Sequence, residues 1–179
     1  QVRWRQFSLG PMAANMSVDR DVFHLDQLEL DALGGHITGQ CVIELDGART
    51  RVLLRGNATG LRMADKEGRL DANAALVVEP WQYSVEGRAQ VLRMSRDHLE
   101  VMLDAFDPFR EDLQANRARL ALKLGYPKQV RLRFRHGFAD VLVELGGLAD
   151  LVRIDEIVGI PLGPLMGRVV APLLGEPPP

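Results

Sequence analysis

Apolar and polar residues alternate through most of the first half of the chain, with the period of half-buried strands. Ile37, Gly39, Cys41, Ile43 and Leu45 fall on one face, and Thr38, Gln40 and Glu44 on the other, with Val42 the exception. Asp46-Gly47 then turns the chain, and Val52 and Leu54 follow opposite Arg51 and Arg55. Leu70, Ala72, Ala74, Leu76 and Val78 share a face, backed by Asp71, Asn73 and Glu79. After Pro80, the alternation puts Trp81, Tyr83 and Val85 opposite Gln82, Ser84 and Glu86. Residues 23–32, where His24 and Asp26 give way to Leu28, Leu30 and Ala32, read as a further strand, and the start of the chain as another. An acidic residue followed by glycine recurs at 46–47, 67–68 and 86–87, each time preceding or interrupting an alternating run. That spacing predicts an antiparallel meander over residues 1–94.

At Ser95 the period changes. Ser95 is placed as an N-cap, and Leu99, Met102, Leu103 and Phe106 follow at helical spacing. Asp107-Pro108 reads as a second start, with Asp as N-cap and Pro at the first helical position. This helix is expected to run to about Leu124 with Leu113, Leu120, Ala121 and Leu124 as its apolar side, closed by Gly125 and Pro127. Residues 95–124 thus form a helical pair. A hairpin occupies 125–146: Val130, Leu132 and Phe134 alternate with Arg131, Arg133 and Arg135, His136-Gly137 turns, and Ala139, Val141, Val143 and Leu145 return. In the apolar tail, 147–179, Leu162, Leu165, Met166, Val169, Val170, Leu173 and Leu174 make a one-sided helix of about three turns. The predicted fold is α+β: a curled, mainly antiparallel sheet, taco-like or a partial barrel, with the helical pair and a C-terminal amphipathic helix.

Composition adds bounds rather than chemistry. The 179 residues are 46% hydrophobic and 26% charged, which suits a single domain with its own core. A net charge of -2 supplies no global field toward nucleic acid or an anionic membrane. One cysteine excludes an intramolecular disulfide framework. The chain begins with Gln1, so it reads as a fragment or processed part of a longer protein.

No motif names a reaction, and the chain is expected to be non-enzymatic, without cofactor or metal. His24, His36, His98 and His136 lack ligand spacing. Cys41 sits in an alternating run as a structural thiol. Asp104, Asp107, Glu111 and Asp112 cluster; helix capping and the helix dipole explain Asp107, Glu111 and Asp112, with a calcium or acid-base role as the alternative. Arg131, Arg133 and Arg135 form a basic stripe on one strand face, read as a solvated face or as a contact for anionic head groups. No aromatic residues interleave with them, which argues against a nucleic-acid platform. Asn15 and Asn57 begin glycosylation sequons, and Trp81 with Tyr83 suits either core packing or sugar stacking. The C-terminal helix suits either a core position or docking to a trough, membrane or partner.

One stretch carries a family signal. Phe23, Leu25, Leu28 and Leu30 lead into Leu33-Gly34-Gly35, and Ile37, Gly39, Ile43 and Leu45 form a second strand closed by a turn. This resembles the signature of AsmA-like proteins of Gram-negative envelopes over residues 23–63, thinning toward Pro80. The resemblance implies a periplasmic domain held to the inner membrane by a segment absent from this chain. It also implies a curled sheet with an apolar concave side that binds or helps move phospholipid, or supports outer-membrane assembly, and no catalytic residues. On that reading Ile37, Cys41, Ile43, Val52, Leu54, Leu76, Val78, Trp81 and Tyr83 line an acyl-chain groove. Leu162, Leu165, Met166, Val169, Val170 and Leu173 close it or dock, and Arg131, Arg133 and Arg135 meet head groups. The alternative is an assembly subunit that meets envelope protein partners through its sheet edges and C-terminal helix.

Overall fold

The structure is a computed structural model and describes residues 2–4, 7–47, 49–62, 68–82 and 84–162, with side chains from Gly10 onward. The alternating runs fold as strands β1 (Val2–Trp4), β2 (Phe7–Asp19), β3 (Val22–Ala32), β4 (Gly35–Asp46), β5 (Arg49–Leu61), β6 (Leu70–Glu79) and β7 (Ser84–Arg93). Helices α1 (Arg96–Phe106) and α2 (Leu113–Leu122) follow, then β8 (Gly125–Arg135), β9 (Phe138–Gly147) and β10 (Ile157–Pro161). All ten strands pair in sequence order in one antiparallel sheet. Among the described residues β1 and β10 do not meet, so the sheet is open.

The tight links are chemical as well as topological. Leu33 and Gly34 (φ 52° and 70°) and His136 and Gly137 (48° and 82°) turn β3 into β4 and β8 into β9. Paired positive φ values follow the right-handed strand twist, which is why two residues suffice. Within β3, a bulge at Asp26-Gln27 (Gln27 φ 51°) resets the alternation. Phe23 and Leu25 before it therefore share a face with Leu28 and Leu30 after it, instead of His24 and Asp26 doing so. Glu86-Gly87 lies inside β7 and is no turn.

The helix pair packs on β8 and β9 and seals the only compact core among the described residues. Leu99, Leu103 and Leu122 meet Val130, Ala139 and Val141 there, all essentially without solvent. Ser95 caps α1 as expected: its hydroxyl accepts from the His98 N–H. The His98 ring completes the box, its Nδ1 accepting from the Ser95 N–H at 3.1 Å. The second helix departs from the sequence pattern. Asp107 closes α1, and Asp112 caps α2 by accepting from the Ala115 N–H at 2.8 Å. Its buried side is Ala115, Ala118, Ala121 and Leu122, while Leu113, Leu120 and Leu124 are exposed. Alanines let the helix sit close to the sheet, and this rotation also turns Arg119 onto Asp107.

The chain after β9 holds a strand that alternation did not announce. Ile157 pairs with Val141 and Ile160 with Ala139, and a bulge between them puts both isoleucines into the core. Leu162 is buried beyond β10, its N–H donating to the Gly137 carbonyl. The expected C-terminal helix positions Leu165, Met166, Val169, Val170 and Leu173 lie outside the described residues, as does Tyr83.

Candidate functional site

Residues paired across an antiparallel sheet share a face, so the register sorts every side chain. One row runs Met12, Leu30, Ile37, Ala58, Ala72, Val91, Val130, Val143. A second runs Met16, Leu25, Cys41, Leu54, Leu76, Gly87, Phe134, Ala139. Between them lies a row of small residues, Gly39, Gly56, Ala74 and Ala89, and beyond them Ile43, Val52, Val78 and Val85. This is the face on which α1 and α2 sit, and it continues past them. Exposure along it is uneven, 0% at Val130, 38% at Leu54 and 7% at Cys41, and is greatest on β2, 70% at Met12. Among the described residues no element covers it over β2–β5.

Of the residues assigned to an acyl-chain groove, Ile37, Cys41, Ile43, Val52, Leu54, Leu76 and Val78 all lie on this face. The face is an open platform rather than a walled groove. Cys41 is buried beside its cross-strand neighbours, and burial pushes its thiol up, away from thiolate chemistry. Trp81 is not on a strand. It sits in the 3₁₀ turn Pro80–Gln82 with the Arg49 guanidinium 5.2 Å from its ring centre.

A hollow lies on the opposite face. A trough of about 970 Å³ is lined by Thr38, Gln40, Arg55, Asn57, Asn73 and Ala75, continuing over Arg88, Gln90, Arg131, Arg133 and Leu142, with the carboxylates Glu29 and Glu156 also on its lining. Of the apolar-face rows only the middle one reaches it, through Leu28, Gly39, Gly56, Ala74, Ala89 and Leu132, while Cys41, Leu54 and Leu76 do not line it. Most of the side chains around this hollow are polar.

The arginine stripe of β8 divides in this setting. Arg131 is paired with Glu144 and Arg135 with Asp140. Arg133 has no ion-pair partner among the described residues, and neither do Arg55 and Arg88. Sequence reasoning missed Arg55 and Arg88 because no local pattern joins them to Arg133. Only the register places them in one row with Arg133: Gln40, Arg55, Ala75, Arg88, Arg133, Asp140.

Two buried carboxylates are structural. The Arg135 guanidinium and the Gly159 N–H hold Asp140 below the ordinary carboxylate range and tie β9 to the β10 bulge. Burial pushes Asp107 up, but Arg119 and the N–H groups of Asp112 and Glu111 outweigh it and hold its carboxyl low as well. A depressed folded pKa gives stability that is present above the unfolded value near pH 4 and lost as pH falls through the folded value. The urea midpoint is expected to hold from pH 7 to about 5 and then fall below about 4. Asp140→Asn should be less stable at neutral pH and show a shallower acid fall, and equal slopes for the two proteins would remove Asp140 from that account.

No protein-family model, curated protein or solved structure matches this chain. Among the described residues no three potential metal ligands cluster, and no helix is long and apolar enough to cross a membrane.

Proposed function

We propose that this chain is an AsmA-like periplasmic domain of the cell envelope that holds phospholipid acyl chains against the open part of its apolar face. The observation that carries the reading is one continuous apolar face that is sealed at β8 and β9 and leaves Leu54, Met12 and Met16 exposed at β5 and β2. Contiguous apolar surface of this kind marks interaction sites. Methionines supply an adaptable contact for chains of variable shape. The small row of Gly39, Gly56, Ala74 and Ala89 leaves a shallow lane between two bulkier rows. Each methylene laid there contributes roughly 0.8 kcal/mol, so ten or so suffice for useful affinity.

A second reading, an assembly subunit, draws on β2 as well. β1 pairs only with Phe7–Leu9, so the outer edge of β2 is unpaired beyond them among the described residues. One experiment separates the two. The chain, purified without detergent, is analysed by native mass spectrometry and titrated with an NBD-labelled phosphatidylethanolamine. Lipid-mass adducts and saturable NBD fluorescence are expected, both lost in a Met16→Glu, Leu54→Asp variant that remains folded. Absence of adducts and of saturable binding would sink the lipid reading. Concentration-dependent self-association through β2, without lipid, would favour the assembly reading.

A further inference from the structure

We propose that the polar trough on the opposite face is a binding site for an acidic oligosaccharide, independent of the apolar platform. Charge comes first. Arg88 and Arg133 are directly paired across β7 and β8, and like charges in that position repel. At the strand spacing their backbones are about 5 Å apart. Arg55 lies in the same row two strands away, roughly 10 Å from Arg88, with Ala75 between them. Ala75 is exposed and ends at its Cβ, so a niche opens there with a guanidinium on each side. No carboxylate lies within ion-pair distance of these three arginines among the described residues; Asp140, opposite Arg133, is bonded by Arg135 and also feels the Arg133 charge, and Glu29 and Glu156 line the trough outside this row. An anion in the niche would take charge-assisted hydrogen bonds from two sides and relieve the repulsion between Arg88 and Arg133.

The neighbouring row fixes the class of anion. Asn57, Asn73 and Gln90 stand side by side across β5, β6 and β7, with Gln90 donating to Gln129 and the row continuing through Thr38 to Glu29. Carboxamides both donate and accept, as is needed to bind hydroxyl groups that do the same. The trough runs over β3–β9, roughly 30 Å at the strand spacing, which suits an elongated ligand. None of its lining residues is aromatic, so nucleobases would find no stacking surface. An acidic peptide fits poorly too, because the sheet's own N–H and C=O groups are spent in the ladder and leave none for a peptide backbone. Anionic groups carried on a polyhydroxylated chain satisfy both rows at once.

Tetragalacturonate is the probe, and isothermal titration calorimetry at low salt the measurement. One site per chain is expected, with affinity falling as salt is raised. The neutral tetrasaccharide maltotetraose and inorganic phosphate should bind at least tenfold more weakly. Arg88→Gln with Arg133→Gln should weaken tetragalacturonate at least tenfold while leaving the urea midpoint equal or higher, because the repulsion between the pair is removed. Arg55→Gln alone gives a second, smaller loss that does not depend on the β7–β8 pair. The apolar-face variant Leu54→Asp should bind tetragalacturonate normally, so failure of the lipid reading leaves this one standing. Maltotetraose or phosphate binding as tightly as tetragalacturonate overturns the proposal. So does tighter binding of a dT20 oligonucleotide, or undiminished binding by the double variant.

Discussion

Replacing Arg119 with methionine is expected to cost about 3–5 kcal/mol of stability, the usual loss when one partner of a buried pair is removed. Arg119 is 14% exposed and Asp107 8%, with Nη1 donating to the carboxylate at 2.8 Å. Its other terminal nitrogen, Nη2, donates to the carbonyls of Leu103 and Asp107 at 3.0 and 2.9 Å, closing the end of α1. The variant therefore leaves a buried carboxylate without its counter-charge, held only by the Glu111 and Asp112 N–H groups, and takes one donor from each of two helix-end carbonyls. Urea denaturation at pH 7 measures it, with Lys128→Met as reference, because Lys128 bridges to Asp150 at the surface, where such pairs contribute about 0–1 kcal/mol. A loss below about 1 kcal/mol for Arg119→Met would mean that water reaches Asp107, and that the helix pair does not depend on this contact.

Gly87→Ala is expected to be nearly as damaging, about 3 kcal/mol or more. A Cβ at this position would lie 2.1 Å from the Ala75 carbonyl oxygen, and the backbone φ of 135° is one that residues other than glycine rarely adopt. The clash is with backbone on the adjacent strand, so relief requires β6 and β7 to part. That seam adjoins the Ala75 niche between Arg55 and Arg88, so the variant should also disturb the trough, read as large amide shift changes at Ala75 and Arg88 in NMR spectra. Gly47→Ala is the control. It shares a positive φ of 56° but has no atom within 4 Å of the added carbon, so it should lose only about 1–2 kcal/mol. Equal losses at the two glycines would place the cost in φ alone and leave the close approach of β6 and β7 without consequence.

Much of the fold is legible in the residues themselves. Alternation marks β4, β5, β6, β8 and β9, and Leu33-Gly34 and His136-Gly137 mark two of the turns, because side-chain period and turn chemistry are local properties. Three places resist local reading. The bulge at Gln27 changes parity inside β3, so the face of Phe23 and Leu25 cannot be counted from Leu28. In β10 the buried Ile157 and Ile160 are three residues apart, a spacing without strand period until the bulge between them is known. In α2 the leucines suggest one face and the alanines another. The alanine face wins because close approach to the sheet and the Arg119–Asp107 contact are gained together.

The candidate sites divide in the same way. That Ile37, Cys41, Ile43, Val52, Leu54, Leu76 and Val78 share one face follows from period and register within neighbouring hairpins, and the sequence by itself determined it. Whether that face is sealed or open depends on how far two short helices reach across ten strands, and only the tertiary structure decided that they stop at the β8–β9 end. The row joining Arg55 to Arg88 and Arg133 was decided there too. Each of those arginines is an ordinary solvent-facing residue on its own strand. Their meaning comes from residues 33 and 45 positions away being brought to about 10 and 5 Å, respectively, by cross-strand pairing, a long-range arrangement that no local pattern encodes.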